Sequence, residues 1–240
     1  MSRPISILMY HSIESEPKGS VLRSLSVPKV LFKIQLYTLK LLGYQGLSMS
    51  ELLPYIKGQK SAKVFGITFD DGYLNNYENA LPVLKRLKYS ATCYVVAKNI
   101  GGSNYWDHEL GVNKKNMMSH EHIFDWLKSG MEIGSHSSNH LRLSKCNELD
   151  LKKEIFESKE RLENLFKTKV IHFCYPYGDY SKKVIDELRK SNYITATTVN
   201  RGRVNEKSSL YALPRVLVNH RTYPFNLLLK LFTSYEDKRS

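Results

Sequence analysis

The sequence predicts a single α/β domain built on a parallel sheet, either open or closed into a barrel. Three observations predict it. Short apolar runs alternate with amphipathic stretches along the whole chain, the pattern of repeated βαβ units. About seven of those runs read as strands, and no Ser-, Gly- or Pro-rich linker and no internal repeat divides the 240 residues. The polar residues best suited to chemistry stand directly after the apolar runs, on the edge where parallel sheets gather their sites.

Taken in order, Ile5 to Tyr10 reads as a buried strand. Val30 to Leu42 carries apolar residues at helical spacing, and Gly43 stops it. Lys63 to Phe69 is a second strand, ended by the turn signal Asp70-Asp71-Gly72. Asn79 to Leu87 reads as a helix with Pro82 near its start, and Ala91 to Ala97 as a third strand. Residues 101–116 form a polar insertion, a loop over one face. His120 to Lys128 is a helix, and Met131 to Gly134 a short strand running toward His136. Glu148 to Phe166 is the clearest long helix. Val170 to Cys174, Ile194 to Val199 and Tyr211 to Val218 are the remaining strands, with a helix over Lys182 to Ser191 and an apolar C-terminal segment.

Composition narrows the function classes. Apolar content of 42% and charged content of 25% are those of a soluble globular protein. Cys93, Cys146 and Cys174 are widely spaced, without a Cys-x-x-Cys pair, and read as core or surface thiols in a reducing compartment. The N-terminal apolar run is broken by Tyr10 and His11 with no cleavage site after it, and no apolar stretch reaches the ~20 residues of a membrane span. A cytoplasmic protein is therefore expected. The net charge of +13 favours anionic surroundings. With the stretch Leu227-Leu228-Leu229-Lys230-Leu231-Phe232, it suits peripheral contact with an anionic inner membrane face. No nucleic-acid signature accompanies the charge, so no nucleic-acid partner is expected. The oligomeric state is left open.

Four strand ends deliver chemistry: His11, the pair Asp70 and Asp71, the pair His136 and His140, and Tyr175-Pro176-Tyr177-Gly178. His-x-x-x-His turns both imidazoles to one face, and two imidazoles with one carboxylate make a divalent-metal set with open positions. Of two adjacent carboxylates, one can ligate the ion while the other takes a proton from water. Zinc suits such a set, and cobalt, nickel or iron bind the same donors. Trp106, in the polar insertion, offers an aromatic face on which a sugar ring can stack.

Thr68-Phe69-Asp70-Asp71-Gly72 and His136-Ser137-Ser138-Asn139-His140 resemble, in order and spacing, the first two motifs of the polysaccharide deacetylases, the NodB-type carbohydrate esterases of family four. The resemblance extends through Leu8-Met9-Tyr10-His11, Gly101-Gly102 with Trp106-Asp107, Tyr175 to Ser181 and Leu213-Pro214-Arg215. It implies a distorted (β/α) barrel of about seven parallel strands and one catalytic domain over residues 1–240. It also implies metal-dependent removal of an N-acetyl group from an amino sugar of a polysaccharide or lipid-linked glycan. Asp71, His136 and His140 would ligate the metal, Asp70 would be the general base, and the Tyr177 backbone N–H would help form the oxyanion hole.

Two departures from the family pattern stand out. Cys174 occupies the place of the arginine that orients the base, and Arg215 on the last strand is the candidate to replace it. The usual late Leu-x-His motif has no clear counterpart. The Tyr10–His11 pair instead resembles the permuted branch typified by poly-N-acetylglucosamine deacetylases, which makes His11 the expected general acid, with His220 the alternative. Trp106, Tyr175, Pro176 and Arg215 are expected to line the substrate surface. The missing arginine also leaves open a glycan-binding protein without turnover, and the same metal and base would serve a deformylase or imide hydrolase.

Overall fold

The computed structural model describes residues 4–239. Its elements in chain order are β1 (Ile7–Tyr10), α1 (Lys29–Leu41), β2 (Gln45–Leu47), α2 (Met49–Ile56), β3 (Val64–Phe69), α3 (Leu81–Leu87), β4 (Thr92–Val95) and α4 (His120–Lys128). There follow β5 (Glu132–Ser135), α5 (Glu148–Lys152), α6 (Ser158–Phe166), β6 (His172–Cys174), α7 (Lys182–Lys190), β7 (Thr195–Arg201), β8 (Leu213–Leu217) and α8 (Pro224–Phe232). All pairings between these strands are parallel, and β1 sits between β3 and β8, which closes a seven-strand barrel in the order β1-β8-β7-β6-β5-β4-β3. The seven apolar runs of the sequence are the seven staves of this ring. Gly66 of β3 faces Ile7 of β1 on one edge and Leu47 of β2 on the other, so β2 lies outside the ring.

Successive side chains of each strand alternate between the helical shell and the barrel interior. Tyr10 points outward, packing edge-on against Phe32 of α1 and stacking with Phe69. The interior is polar in layers. At the N-terminal end, Glu132 accepts from Thr92 Oγ1 (2.5 Å), and His172 Nδ1 meets Thr195 Oγ1 at 2.7 Å. Glu132 also receives the Ser50 N–H and hydroxyl, so a carboxylate meets the positive N-terminal end of α2. One layer higher, the Arg215 guanidinium lies among Thr68, Cys174 and the Tyr94 ring. Gly134 gives that ring its space, because a Cβ there would stand 2.5 Å from Tyr94 and 2.8 Å from the His172 carbonyl.

Three features depart from the sequence expectation. First, β2 and α2 were not anticipated: Gln45–Leu47 is too short and too glycine-interrupted to register. The spacing Ser48-x-x-Glu51 does mark the start of α2, where Ser48 Oγ accepts from the Glu51 N–H. Second, the long helix expected over 148–166 contains a π-turn at Lys153–Glu157, and another π-turn, Asn76–Ala80, precedes α3. Third, the apolar C-terminal segment is a helix whose Leu227 and Leu231 are buried. None of the described helices is long and apolar enough to cross a membrane. The three cysteines are free thiols, with Cys93 and Cys174 buried.

Candidate active site

The C-terminal strand ends bring buried Asp70, Asp71, His136 and His140 together with half-buried His11 in one cluster. Asp70 closes β3, its N–H donating to the Tyr10 carbonyl at 2.9 Å, so the first and third strands position it together. Asp71 follows with φ 73°, and Gly72 with φ 84° completes the turn. Among the described residues eight non-glycine residues lie in the left-handed region, and four of them are Asp71, Ser137, His140 and Tyr177. Backbone strain concentrated in this way is characteristic of functional sites.

The donor set converges. Asp71 Oδ1 lies 3.3 Å from His136 Nε2 and 3.4 Å from His140 Nε2. A tetrahedral ion about 2.0–2.1 Å from its ligands holds them roughly 3.3–3.4 Å apart, so these residues fit a divalent metal. His136 Nδ1–H donates to the Cys174 carbonyl at 2.8 Å, which fixes the ring so that Nε2, once its proton toward Asp71 is lost, would present a lone pair to an ion. Burial pushes the His140 imidazole below its usual range, which favours the neutral form a metal needs. Burial would raise the Asp71 carboxyl, but the hydrogen bonds from His136 and His140 hold it well below the usual range. Burial also pushes the Tyr73 phenol well up, with the charges of Asp71 and Asp107 adding to it, so it stays protonated and donates to Asp71.

The second carboxylate has a different partner. Arg215 Nη1 and Nη2 each lie 2.7 Å from the two Asp70 oxygens, in a fully buried bidentate pair. Burial raises the Asp70 carboxyl, and Arg215 overcomes that and keeps it ionised. The fork is fixed in turn by the Thr198 carbonyl (2.9 Å), Thr68 Oγ1 (3.0 Å) and Cys174 Sγ (3.2 Å). Arg215 from the last strand thus fills the space that Cys174 leaves, and it does not line the substrate surface. Tyr175 and Pro176 are likewise corrected: both are buried, and Tyr175 spends its hydroxyl on the Tyr211 carbonyl. They shape the turn that presents Tyr177 at φ 58°.

His11 Nε2 lies 3.6 Å from Asp70 Oδ2. Burial lowers its pKa against the pull of Asp70 and Asp71. His220 instead lies beside Arg23 and Arg221.

The walls of the site are aromatic. Trp106 stacks on His140, with centroids 4.6 Å apart and planes 23° apart. Tyr177 meets the same imidazole edge-on at 4.6 Å, and the Arg142 guanidinium covers Tyr177 at 4.4 Å. Asp107, buried behind Trp106, is raised to about 6 by burial and by repulsion from Asp71.

Residues not singled out from the sequence support these groups. Glu154, buried within the π-turn of the long helix, accepts from the Asn139 N–H at 2.9 Å and from its carboxamide. Ser138 Oγ donates to the Lys153 carbonyl at 2.7 Å. Lys115 binds Glu14, Glu16 and Ser12 Oγ, tying the insertion that carries Trp106 to the loop that carries His11. Adjacent lysines in a polar loop carry no sequence signal for such a clamp.

A family model described as polysaccharide deacetylase matches residues 57–196. The Bacillus subtilis protein YxkH, described as a polysaccharide deacetylase, is 32% identical over 90% of this chain and 71% of its own length. A poly-β-1,6-N-acetyl-D-glucosamine N-deacetylase of Staphylococcus aureus is 26% identical, over 90% of this chain and 75% of its own. Among solved structures, the Streptococcus pyogenes deacetylase PplD in complex with acetate superposes with a TM-score of 0.83 at 26% identity, covering 96% of this chain and 99% of that one. BC0361, a polysaccharide deacetylase from Bacillus cereus, gives 0.80 at 29% identity over 95% and 69%.

Proposed function

The chain belongs to the polysaccharide deacetylase family, and from that premise we propose that it is a metal-dependent hydrolase that removes N-acetyl groups from an amino-sugar glycan. The observation that carries the reading is the donor triangle of Asp71, His136 and His140 beside a free, Arg215-held Asp70 carboxylate. A divalent ion held by the triangle would polarise the acyl carbonyl and acidify water. Zinc suits the donors, and the catalytic unit is taken as residues 1–240.

The chain's own residues do the rest. Trp106 and Tyr177 flank the acetamido group and limit its approach to the open side of His140. Asp70, kept ionised and oriented by Arg215, takes a proton from the attacking water. The Tyr177 N–H, turned by its left-handed backbone, donates to the developing oxyanion. His11 gives a proton to the nitrogen as the C–N bond breaks, and its 3.6 Å approach to Asp70 lets the base return one to it. Acetate and a free amine leave.

The reading as a glycan-binding protein without turnover was favoured by the missing arginine at position 174. The Arg215–Asp70 pair supplies that contact from another strand and removes the motive for it. The proposal is tested by metal content and acetate release, from chitooligosaccharides and from lipid-linked N-acetylhexosamine. Wild type should carry about one ion per chain, and the His136→Ala/His140→Ala variant should lose both the ion and the turnover. Wild type that stays metal-free in excess zinc or cobalt would overturn the proposal. Bound metal without acetate release would point to another acyl group.

A further inference from the structure

The outer face of two helices, outside the catalytic cluster, has a composition of its own. Helix α1 buries Leu31, Phe32, Gln35, Leu36 and Leu39, which leaves Val30, Ile34 and Leu41 exposed in one stripe at i, i+4 and i+11 on the opposite side. Val30 is 68% exposed and Leu41 87%. Helix α8 packs beside α1 and adds Phe225, 77% exposed. Large apolar side chains exposed together across two adjacent helices mark an interaction surface.

Charge indicates the occupant. Neither α1 nor α8 contains an acidic residue, while Lys29, Lys33 and Lys40 stand exposed on α1 and Arg221 precedes α8. Within the two helices the apolar stripe is flanked by cations alone, the pattern of a helix that lies in the head-group region of an anionic bilayer. A second copy of this chain would bring like charges together. Both helices follow strands of the barrel, β1 and β8, and so begin at the rim that carries Asp70 and His11. Lipid contact through Val30 and Phe225 would hold that rim near the bilayer surface. We propose that the α1–α8 face is a peripheral docking surface for anionic lipid, built from the Val30–Leu41 stripe, Phe225 and the flanking lysines.

The test is co-sedimentation of the full chain with vesicles of phosphatidylcholine alone and of phosphatidylcholine with phosphatidylglycerol. Wild type should pellet with the anionic vesicles only. The triple variant Val30→Glu/Ile34→Glu/Phe225→Glu should lose at least about tenfold in partitioning. Lys29→Glu/Lys33→Glu should weaken binding by roughly fivefold or more per lysine at low salt, and less at high salt. These residues are surface positions outside the catalytic cluster, so melting curves and metal content should stay at wild-type values. The vesicle readout is independent of turnover. Absence of pelleting with both vesicle types, or equal pelleting of wild type and triple variant, would overturn the proposal. So would a wild-type dimer in gel filtration that the triple variant dissociates without any vesicle binding.

Discussion

At the scale of single residues, the site depends on keeping two adjacent carboxylates ionised for different reasons. Asp71 is balanced by imidazoles that can be exchanged for contact with an ion, and Asp70 by a guanidinium that cannot leave. Arg215→Met would leave Asp70 buried without its partner, at a cost of about 3–5 kcal/mol. Turnover should fall by roughly a hundredfold or more as the base loses its orientation. Arg215→Lys should recover part of the stability and little of the rate, because a point charge does not reproduce the fork. Denaturant melts and kinetics on the same preparations check this; wild-type turnover in Arg215→Met would remove Arg215 from the positioning of the base. Asp107 gives a pH dependence. Its folded-state value of about 6 lies above the unfolded ~3.9, so the stability it contributes is full below about pH 4 and is lost as pH rises through 6. In metal-free protein, Asp107→Asn should therefore be more stable than wild type by up to about 3 kcal/mol at pH 7.5 and nearly indistinguishable from it at pH 4. A pH-independent difference would show that burial of the ionised carboxylate is not what the variant relieves.

At the scale of elements, the strands were legible because parallel strands covered on both faces are written as near-continuous apolar runs. The motif residues were legible because they follow those runs directly. What holds them was not. Arg215 and Asp70 are 145 positions apart, and only the closure of β1 between β3 and β8 brings them together. The π-turn at Lys153–Glu157 was equally silent, since α5 and α6 continue one helical period on either side of it. Its effect is local: the widened turn frees the Lys153 carbonyl for Ser138 and aims Glu154 at Asn139, the residue before His140. Glu154→Ala should leave the fold in place and weaken zinc binding by about 10–100-fold, because the backbone that orients His140 loses its anchor. Calorimetric zinc titration reads this directly, and an unchanged dissociation constant would reduce Glu154 to a packing role.

At the scale of the whole molecule, candidate ligands from the turn after β3 and from the segment after β5 meet above the barrel, so an ion bound there would link parts of the ring that are far apart in sequence. The native state presents the three donors already converged, with Nε2 to Oδ1 separations of 3.3 and 3.4 Å. Little rearrangement is then needed on binding, and the binding energy adds to the stability of the folded form. An ion present at 100 times its dissociation constant stabilises the native state by about 2.7 kcal/mol. For a chain of this length, each kcal/mol moves the melting midpoint by about 2–4 °C, so zinc added to chelator-treated protein should raise Tm by roughly 5–10 °C. The His136→Ala/His140→Ala variant should melt at one temperature with or without zinc, because a single carboxylate is left to bind it. Asp70→Asn should keep the full shift while losing turnover, since in the proposed mechanism its carboxylate serves as the base and stands outside the donor triangle. An equal zinc shift in the double-histidine variant would place the ion elsewhere on the protein, and loss of the shift in Asp70→Asn would mean that both carboxylates ligate.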